Sequence, residues 1–284
     1  MYANIQGYKI PIYSNLFEFG EPCLIRLDYP KFTYNPKSEH DFKIHTTLPL
    51  EIDSDEGFVE RKGYKESTWE QSDYRFILYR LGRISSTHFA SAVGYNKYKS
   101  KLDCAFDLFG CHQEFSTTSL EKMSIGTFLE PHVINSYMKA TKNEIQRAGF
   151  CVSSKDTRIG FSPDGFCKLR DNSEGIIECK GVEKLYPLLE NRLIDCHVKN
   201  IKSNNYDHIS ITHFCQMQGI MHLSNKKYAE YCVGLFNPNS NTSYMYYERL
   251  YYDSSFCEKM FSNIDNFFKE EYSYVKNISD KILL

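Results

Sequence analysis

Hydrophobic spacing changes character twice along the chain. Up to about residue 65 the apolar residues form short Tyr- and Phe-rich runs, such as 10–13 and 24–29. Pro11, Pro22, Pro30 and Pro36 break them up, which predicts short strands or extended segments. From Trp69 the period becomes helical, with Tyr74, Ile77, Leu78 and Leu81 three and four apart in a stripe through Arg80. Ser85, Ser86 and Thr87 offer capping hydroxyls to a second helix carrying Phe89, Val93 and Tyr95. A third short helix is expected over 102–110. Ser124 is placed to cap a longer one carrying Phe128, Leu129, Val133, Ile134, Tyr137 and Met138, with Pro131 near its first turn. After Gly149 strands are predicted at 150–153, 166–169 and 175–180, the last two joined by the turn-rich 170–174. A helix over 182–193, a loop over 195–206, a helix over 208–223 and strands at 228–236 and 244–251 follow. Ser254 then caps an amphipathic helix with Phe256, Met260, Phe261, Ile264, Phe267 and Phe268. This order gives an α/β fold, a central mixed sheet flanked by helices, without an internal repeat.

Composition narrows the class. The 284 residues are 42% hydrophobic and 25% charged, which excludes collagen-like, low-complexity and wholly disordered chains. A formal charge of −2 excludes a uniformly basic coat but leaves room for a local basic groove. No apolar run is long enough to cross a bilayer. Residues 1–20 lack a basic start followed by an apolar stretch, so the expected setting is intracellular, cytoplasm or nucleus, and not secreted. The 10 cysteines then read as reduced thiols. None stands at C-x-x-C spacing. A metal site built from Cys104, Cys111 and His112, completed by Cys196-His197 or by His213 and Cys215, is outweighed by plain buried thiols. The acidic stretch holding Glu51, Asp53, Asp55, Glu56 and Glu60 ends at Gly63 and reads as a solvated linker. Two parts are therefore expected: an N-terminal appendage over 1–65 and a main domain over 66–284.

The most informative segment is Phe161-Ser162-Pro163-Asp164-Gly165, followed after a turn by Ile176-Ile177-Glu178-Cys179-Lys180. Strand alternation sends Glu178 and Lys180 to one face and Cys179 to the other. The hairpin returns the chain beside its start and brings Asp164 close to Glu178. Two neighbouring carboxylates repel each other in a partly desolvated site, and a bound cation removes the penalty. Oxygen ligands from Asp164, Glu178 and the Cys179 carbonyl suit Mg²⁺. A Pro-Asp-Gly turn or a Glu-x-Lys pair alone is an ordinary surface feature; the two at hairpin spacing favour a functional site.

These residues resemble the PD-(D/E)XK nucleases. Ser162-Pro163-Asp164-Gly165 with Glu178-Cys179-Lys180 is similar to the lambda-exonuclease branch, also called YqaJ-like viral recombinases or alkaline exonucleases. Three more pieces resemble that branch, in its order. Residues 79–87, Tyr-Arg-Leu-Gly-Arg-Ile-Ser-Ser-Thr, are similar to its Arg-x-Gly-x-Ile-Thr-Ala-Ser block. Gly126 to Glu130 resembles its Gly-x-x-x-Glu helix, and Gln216-Met217-Gln218 its Gln-x-Gln helix. The resemblance covers about 69–270. Ser85-Ser86-Thr87 departs from Thr-Ala-Ser, and Gly181-Val182 stands where Cys-Pro is frequent.

The resemblance implies a restriction-endonuclease-like core and a Mg²⁺-dependent exonuclease acting 5′ to 3′ on double-stranded DNA ends and releasing 5′-phosphomononucleotides. Mn²⁺ would substitute, and two ions are implied. Glu130, Asp164 and Glu178 would hold metal with the Cys179 carbonyl. Lys180 would position and polarise the attacking water, and Gln218 would orient that water or the strand. Arg80, Thr87 and Ser162 would grip the 5′ phosphate. Lys97, Lys99, Lys101, Lys199 and Lys202 are candidate backbone contacts. A single-strand annealing or recombinase protein is the implied partner, and no membrane is. Monomer and trimeric ring both stay open. The alternatives are an endonuclease of the same superfamily cutting DNA or RNA, and a catalytically silent nucleic-acid-binding module.

Overall fold

The computed structural model describes residues 1–16, 20–33, 57–71, 73–110, 115–201 and 205–282. Pro36, Glu51, Asp53, Asp55, Glu56, Cys111, His112 and Lys202 lie outside the described residues. The chain opens with β1 (Tyr2–Ile5), β2 (Tyr8–Tyr13) and β3 (Cys23–Asp28), followed by β4 (Phe58–Arg61) and β5 (Tyr64–Ser67). Then come α1 (Tyr74–Arg80), β6 (Ile84–Ser85), α2 (Phe89–Ala92), α3 (Lys101–Leu108) and α4 (Thr117–Thr141). Five short strands follow: β7 (Glu144–Gln146), β8 (Cys151–Ser153), β9 (Ile159–Phe161), β10 (Gly165–Lys168) and β11 (Glu174–Val182). The remainder is α5 (Pro187–His197), α6 (Ile211–Ser224), β12 (Tyr228–Leu235), β13 (Thr242–Tyr251), α7 (Ser254–Phe267) and α8 (Ser273–Ile282).

The main sheet has eight strands in the order β1-β2-β3-β13-β12-β11-β10-β7. It is mixed, as expected: β11 runs parallel to β12, while β10 and β13 are antiparallel to their neighbours. Its two faces follow from alternation along β11. Ile176 packs with Leu189 and Leu193 of α5 and Met217 and Ile220 of α6. Ile177 and Cys179 pack on the other side with Leu129, Val133 and Tyr137 of α4. A smaller sheet, β4-β5-β8-β9-β6, stands beside the first and supports an aromatic cluster of Trp69, Phe76 and Phe150.

The start of the chain is not set apart from this core. β3 lies antiparallel to β13, with Cys23 opposite Tyr247 and Asp28 opposite Thr242. β5 pairs with β8 in the smaller sheet. The division expected at residue 65 therefore runs through both sheets. Backbone pairing between segments more than 200 residues apart has no local signature in sequence.

Local starts also moved. α4 begins two turns before Ser124, capped by Ser116 accepting the Ser119 N–H at 3.2 Å. Pro131 accordingly sits inside the helix, where it removes one hydrogen bond to the preceding turn. α5 starts at Pro187, five residues later than predicted, and Asp253 rather than Ser254 caps α7. α1 buries Phe76, whereas Tyr74 of the predicted stripe is exposed, because Phe76 enters the aromatic cluster against Phe150. The nine described cysteines are all free thiols. Among the described residues no helix is long and apolar enough to cross a membrane.

Candidate active site

Two routes of the chain meet at the carboxyl end of β11. From the smaller sheet, β9 runs into Ser162-Pro163-Asp164 and on to β10, and the hairpin returns as β11. Asp164 thereby reaches its target by the predicted path: its Oδ2 accepts the Cys179 N–H at 2.6 Å. Glu178 and Lys180 share a face, and Lys180 Nζ donates to Glu178 Oε1 at 2.6 Å. Gln216 of α6 closes a triangle, donating through Nε2 to Glu178 Oε1 at 2.6 Å and accepting from Lys180 Nζ at 3.1 Å. Glu178 Oε2 is buried and has no partner.

The electrostatics follow from this crowding. Burial, then the charges of Glu178 and Glu130, push the Asp164 carboxyl well above the usual carboxylate range. Burial also raises Glu178, against the pull of Lys180. Burial alone would lower Lys180, but the charges of Glu178 and Asp164 outweigh it and hold the ammonium above its ordinary value.

Glu130 is delivered by α4. At Gly181 a Cβ would come 2.8 Å from Gly126 Cα, so helix and strand touch backbone to backbone. One turn on from Gly126, Glu130 lies on the cleft wall beside Asp164 and Glu178. It pairs with Arg147, a partner that no sequence signal pointed to. Among the described residues no three His, Cys, Asp or Glu side chains are drawn together as a ready metal cage.

Gln218 is not at this site. Its Nε2 donates to the Tyr251 carbonyl at 2.9 Å and its Oε1 accepts the Asp253 N–H at 2.9 Å, tying β13 to the start of α7. Two residues on a helix lie about 200° apart around its axis. Only one glutamine of the pair could face β11, and it is Gln216. Residues 215–221 of α6 are all buried, so the apolar pattern gives no phase, and the Gln-x-Gln resemblance alone does not carry it.

Arg80 ends α1 and points at the turn after β6. Its Nη2 donates to Ser85 Oγ at 2.9 Å and Thr87 Oγ1 at 2.7 Å. Burial lowers its pKa, and its described partners are hydroxyls with no carboxylate among them. The hydroxyls predicted to cap a helix serve the guanidinium instead: neither Ser85 nor His88 caps the following turns with its side chain. Ser162 Oγ donates to the Gly149 carbonyl at 3.3 Å and lies in the same cleft. That cleft, of about 530 Å³, is lined by Arg80, Ser85 and Thr87 together with Asp164, Glu178 and Lys180. Of the candidate backbone lysines, Lys99 is paired with Asp107 and Lys199 with Asp195, while Lys97 is exposed and Lys101 half-buried.

Residues 75–227, just over half of the chain, match the family model described as the YqaJ-like viral recombinase domain. Among solved structures the chain is similar to the alkaline exonuclease LHK-Exo from Laribacter hongkongensis, at 18% identity and a TM-score of 0.54. That likeness covers 74% of this chain and 98% of the other. The complex of LHK-Exo with dAMP gives 19% identity and a TM-score of 0.53 over the same shares. No curated protein matches the chain in sequence.

Proposed function

The chain belongs to the YqaJ-like viral recombinase domain family, and from that premise we propose that it is a Mg²⁺-dependent deoxyribonuclease. It would shorten double-stranded DNA from an end in the 5′-to-3′ direction and release 5′-phosphomononucleotides. One observation carries the reading. A half-buried guanidinium whose partners among the described residues are hydroxyls shares a cleft with a carboxylate–lysine set. The first is built to hold a phosphate and the second to hydrolyse one.

The residues present fit a hard divalent cation. Glu178 Oε2 is buried without a partner, Asp164 lies beside it, and burial first, then neighbouring carboxylate charge, raises both carboxyls, a cost that a cation would relieve. Asp164, Glu178 and the Cys179 carbonyl would hold it, with Glu130 as a further carboxylate beside them. The chemistry such an ion would supply there is neutralisation of charge on the scissile phosphate and acidification of the attacking water. Lys180, fixed by Glu178 and Gln216, orients that water and offsets its developing charge. Gln216 accepts from the ammonium and donates to the same Glu178 oxygen, which fixes Lys180 in place. Arg80, Ser85 and Thr87 hold the terminal phosphate, so the bond presented for hydrolysis lies near a strand end. The 3′ strand left behind suits a strand-annealing or recombinase partner.

The test is digestion of end-labelled linear duplexes with a 5′ phosphate or a 5′ hydroxyl, beside a closed circle and a single-stranded RNA. Mg²⁺-dependent shortening of the linear duplex, faster with the 5′ phosphate, is expected, with the circle and RNA intact. A cut circle overturns the end-dependent mechanism. Absence of turnover with both Mg²⁺ and Mn²⁺ overturns the enzyme.

A further inference from the structure

We propose that Arg147 is a second phosphate site, for the backbone phosphodiester one step inward from the bond to be cut, and that Glu130 is the counter-ion it exchanges for that phosphate. The inference rests on reading the cleft as the seat of a duplex end with its terminal phosphate at Arg80. Arg147 follows β7, an edge strand of the main sheet, which sets Gln146 opposite Phe166 of β10. Continuing that antiparallel register brings Arg147 beside Gly165, the neighbour of Asp164. Its guanidinium crosses to α4 and pairs with Glu130. There it lines a recess of about 640 Å³ with Glu70, Gln71, Thr127, Glu130 and Asp164. The last four also line the active-site cleft, so the two spaces meet at the carboxylates. Of the two spaces, Arg80 lines the cleft alone and Arg147 the recess alone. A strand with its terminal phosphate at Arg80 and its next phosphate at Asp164 and Glu178 leads the third toward Arg147.

The pair with Glu130 is suited to exchange. The Arg147 side chain is 53% exposed and that of Glu130 22%, so water screens their attraction and the pair holds the fold together only weakly. The pair of Arg192 with Glu248, at 9% and 2%, is a strut by comparison. A phosphodiester offers a guanidinium fork the same two-oxygen edge as a carboxylate. Asp164, Glu178 and Glu130 also oppose the entry of a polyanion, and Lys180 is already engaged by Glu178 and Gln216. A free cation past the carboxylates offsets that repulsion. Glu130 is the carboxylate proposed to serve a metal ion beside Asp164, and any turn in that direction leaves Arg147 open to phosphate.

The experiment measures binding of a 5′-phosphorylated duplex in EDTA, so that cleavage does not compete, over a salt series. It compares the wild-type chain, Glu130→Gln and the double variant Glu130→Gln with Arg147→Ala. Glu130→Gln frees the guanidinium, so the slope of log K against log salt should steepen by about 0.9, the share of one neutralised phosphate. Adding Arg147→Ala should remove that gain. A gain that survives in the double variant comes from the lost carboxylate charge alone and overturns the inference. A methylphosphonate, which deletes the charge of one linkage, locates the contact. At the second linkage from the 5′ end it should weaken binding to Glu130→Gln about tenfold and leave the double variant unmoved. An equal loss in both proteins overturns the placement. Absence of duplex binding by the wild-type chain at every salt concentration overturns the proposed function itself. Duplex binding whose slope Glu130→Gln leaves unchanged overturns only the role of Arg147.

Discussion

Glu178 of β11 and Glu248 of β13 are each only 1% exposed, and each faces a basic side chain, yet their surroundings differ in one respect. Around Glu248 both oxygens are filled. Arg192 reaches Oε1 through Nε at 3.2 Å and Nη2 at 3.1 Å, while His208 and the Tyr246 hydroxyl meet Oε2. Around Glu178, Lys180 and Gln216 crowd one oxygen and leave the other bare. The first is a closed pairing that pins α5 and the loop before α6 to β13. The second is an unfinished one that opens on the cleft. Glu230, paired with Arg249, also leaves Oε2 bare, but it lines none of the clefts described above. An unmatched buried oxygen thus points to a ligand where it also meets a cavity.

The sharpest way to break the comparison is to remove the basic partner on the cleft side. Lys180→Ala should lower kcat by about 10²- to 10⁴-fold, read by end-labelled digestion, while duplex binding by gel shift persists. Near-normal turnover would overturn the assignment of the site. On the closed side, Glu248→Gln should spare turnover per folded molecule and lower stability by about 3–5 kcal/mol, because Arg192 is left buried and unmatched. Urea unfolding followed by fluorescence measures it. A smaller contrast separates the two glutamines. Gln216→Ala should reduce kcat about tenfold with little loss of stability. Gln218→Ala should do the reverse, costing about 1–3 kcal/mol by stranding the Tyr251 carbonyl and the Asp253 N–H.

The smallest effect is one of pH. His213 lies one turn before Gln216, with Nδ1 2.7 Å from the Tyr231 hydroxyl, and burial, then Lys180, push its pKa down to about 3. Unfolded, the ring titrates near 6.5, so between these values only the unfolded chain takes up the proton. Its stabilising share is complete above about pH 6.5 and is lost as pH falls. Asp164 and Glu178, raised in the fold, act in the opposite sense, so the informative quantity is a difference. Between pH 7 and pH 5 the wild-type chain should lose up to about 2 kcal/mol relative to His213→Asn in urea unfolding. An identical slope for the two proteins would contradict a buried neutral imidazole.

What the sequence made legible was local. The two-residue period of β11 placed Glu178 and Lys180 on one face, and the turn at 170–174 returned Asp164 to Glu178. α6 is buried on every side from Cys215 to Met221, so its apolar residues give no phase and the Gln-x-Gln resemblance alone does not separate Gln216 from Gln218. The resemblance set Thr87 beside Arg80, whereas Ser85 was legible only as a capping hydroxyl, since capping and anion binding use the same side chains. Pairings across the chain, β3 on β13 and β5 on β8, were beyond reach. They depend on which distant edge is free once the hairpins have formed.

The contact between Gly126 and Gly181 gives the cleft a mechanical character. Two α-hydrogens are the whole spacer between the strand that carries Glu178 and the helix that carries Glu130. Position 181 is therefore a shim seat. A methyl group inserted there must push the jaws apart, because the atom it meets belongs to a backbone that cannot swing aside. The gap between facing carboxylates could be widened in graded steps with every acid, base and hydroxyl of the site left in place. Turnover would then be throttled by spacing alone, with the chemistry of each group untouched.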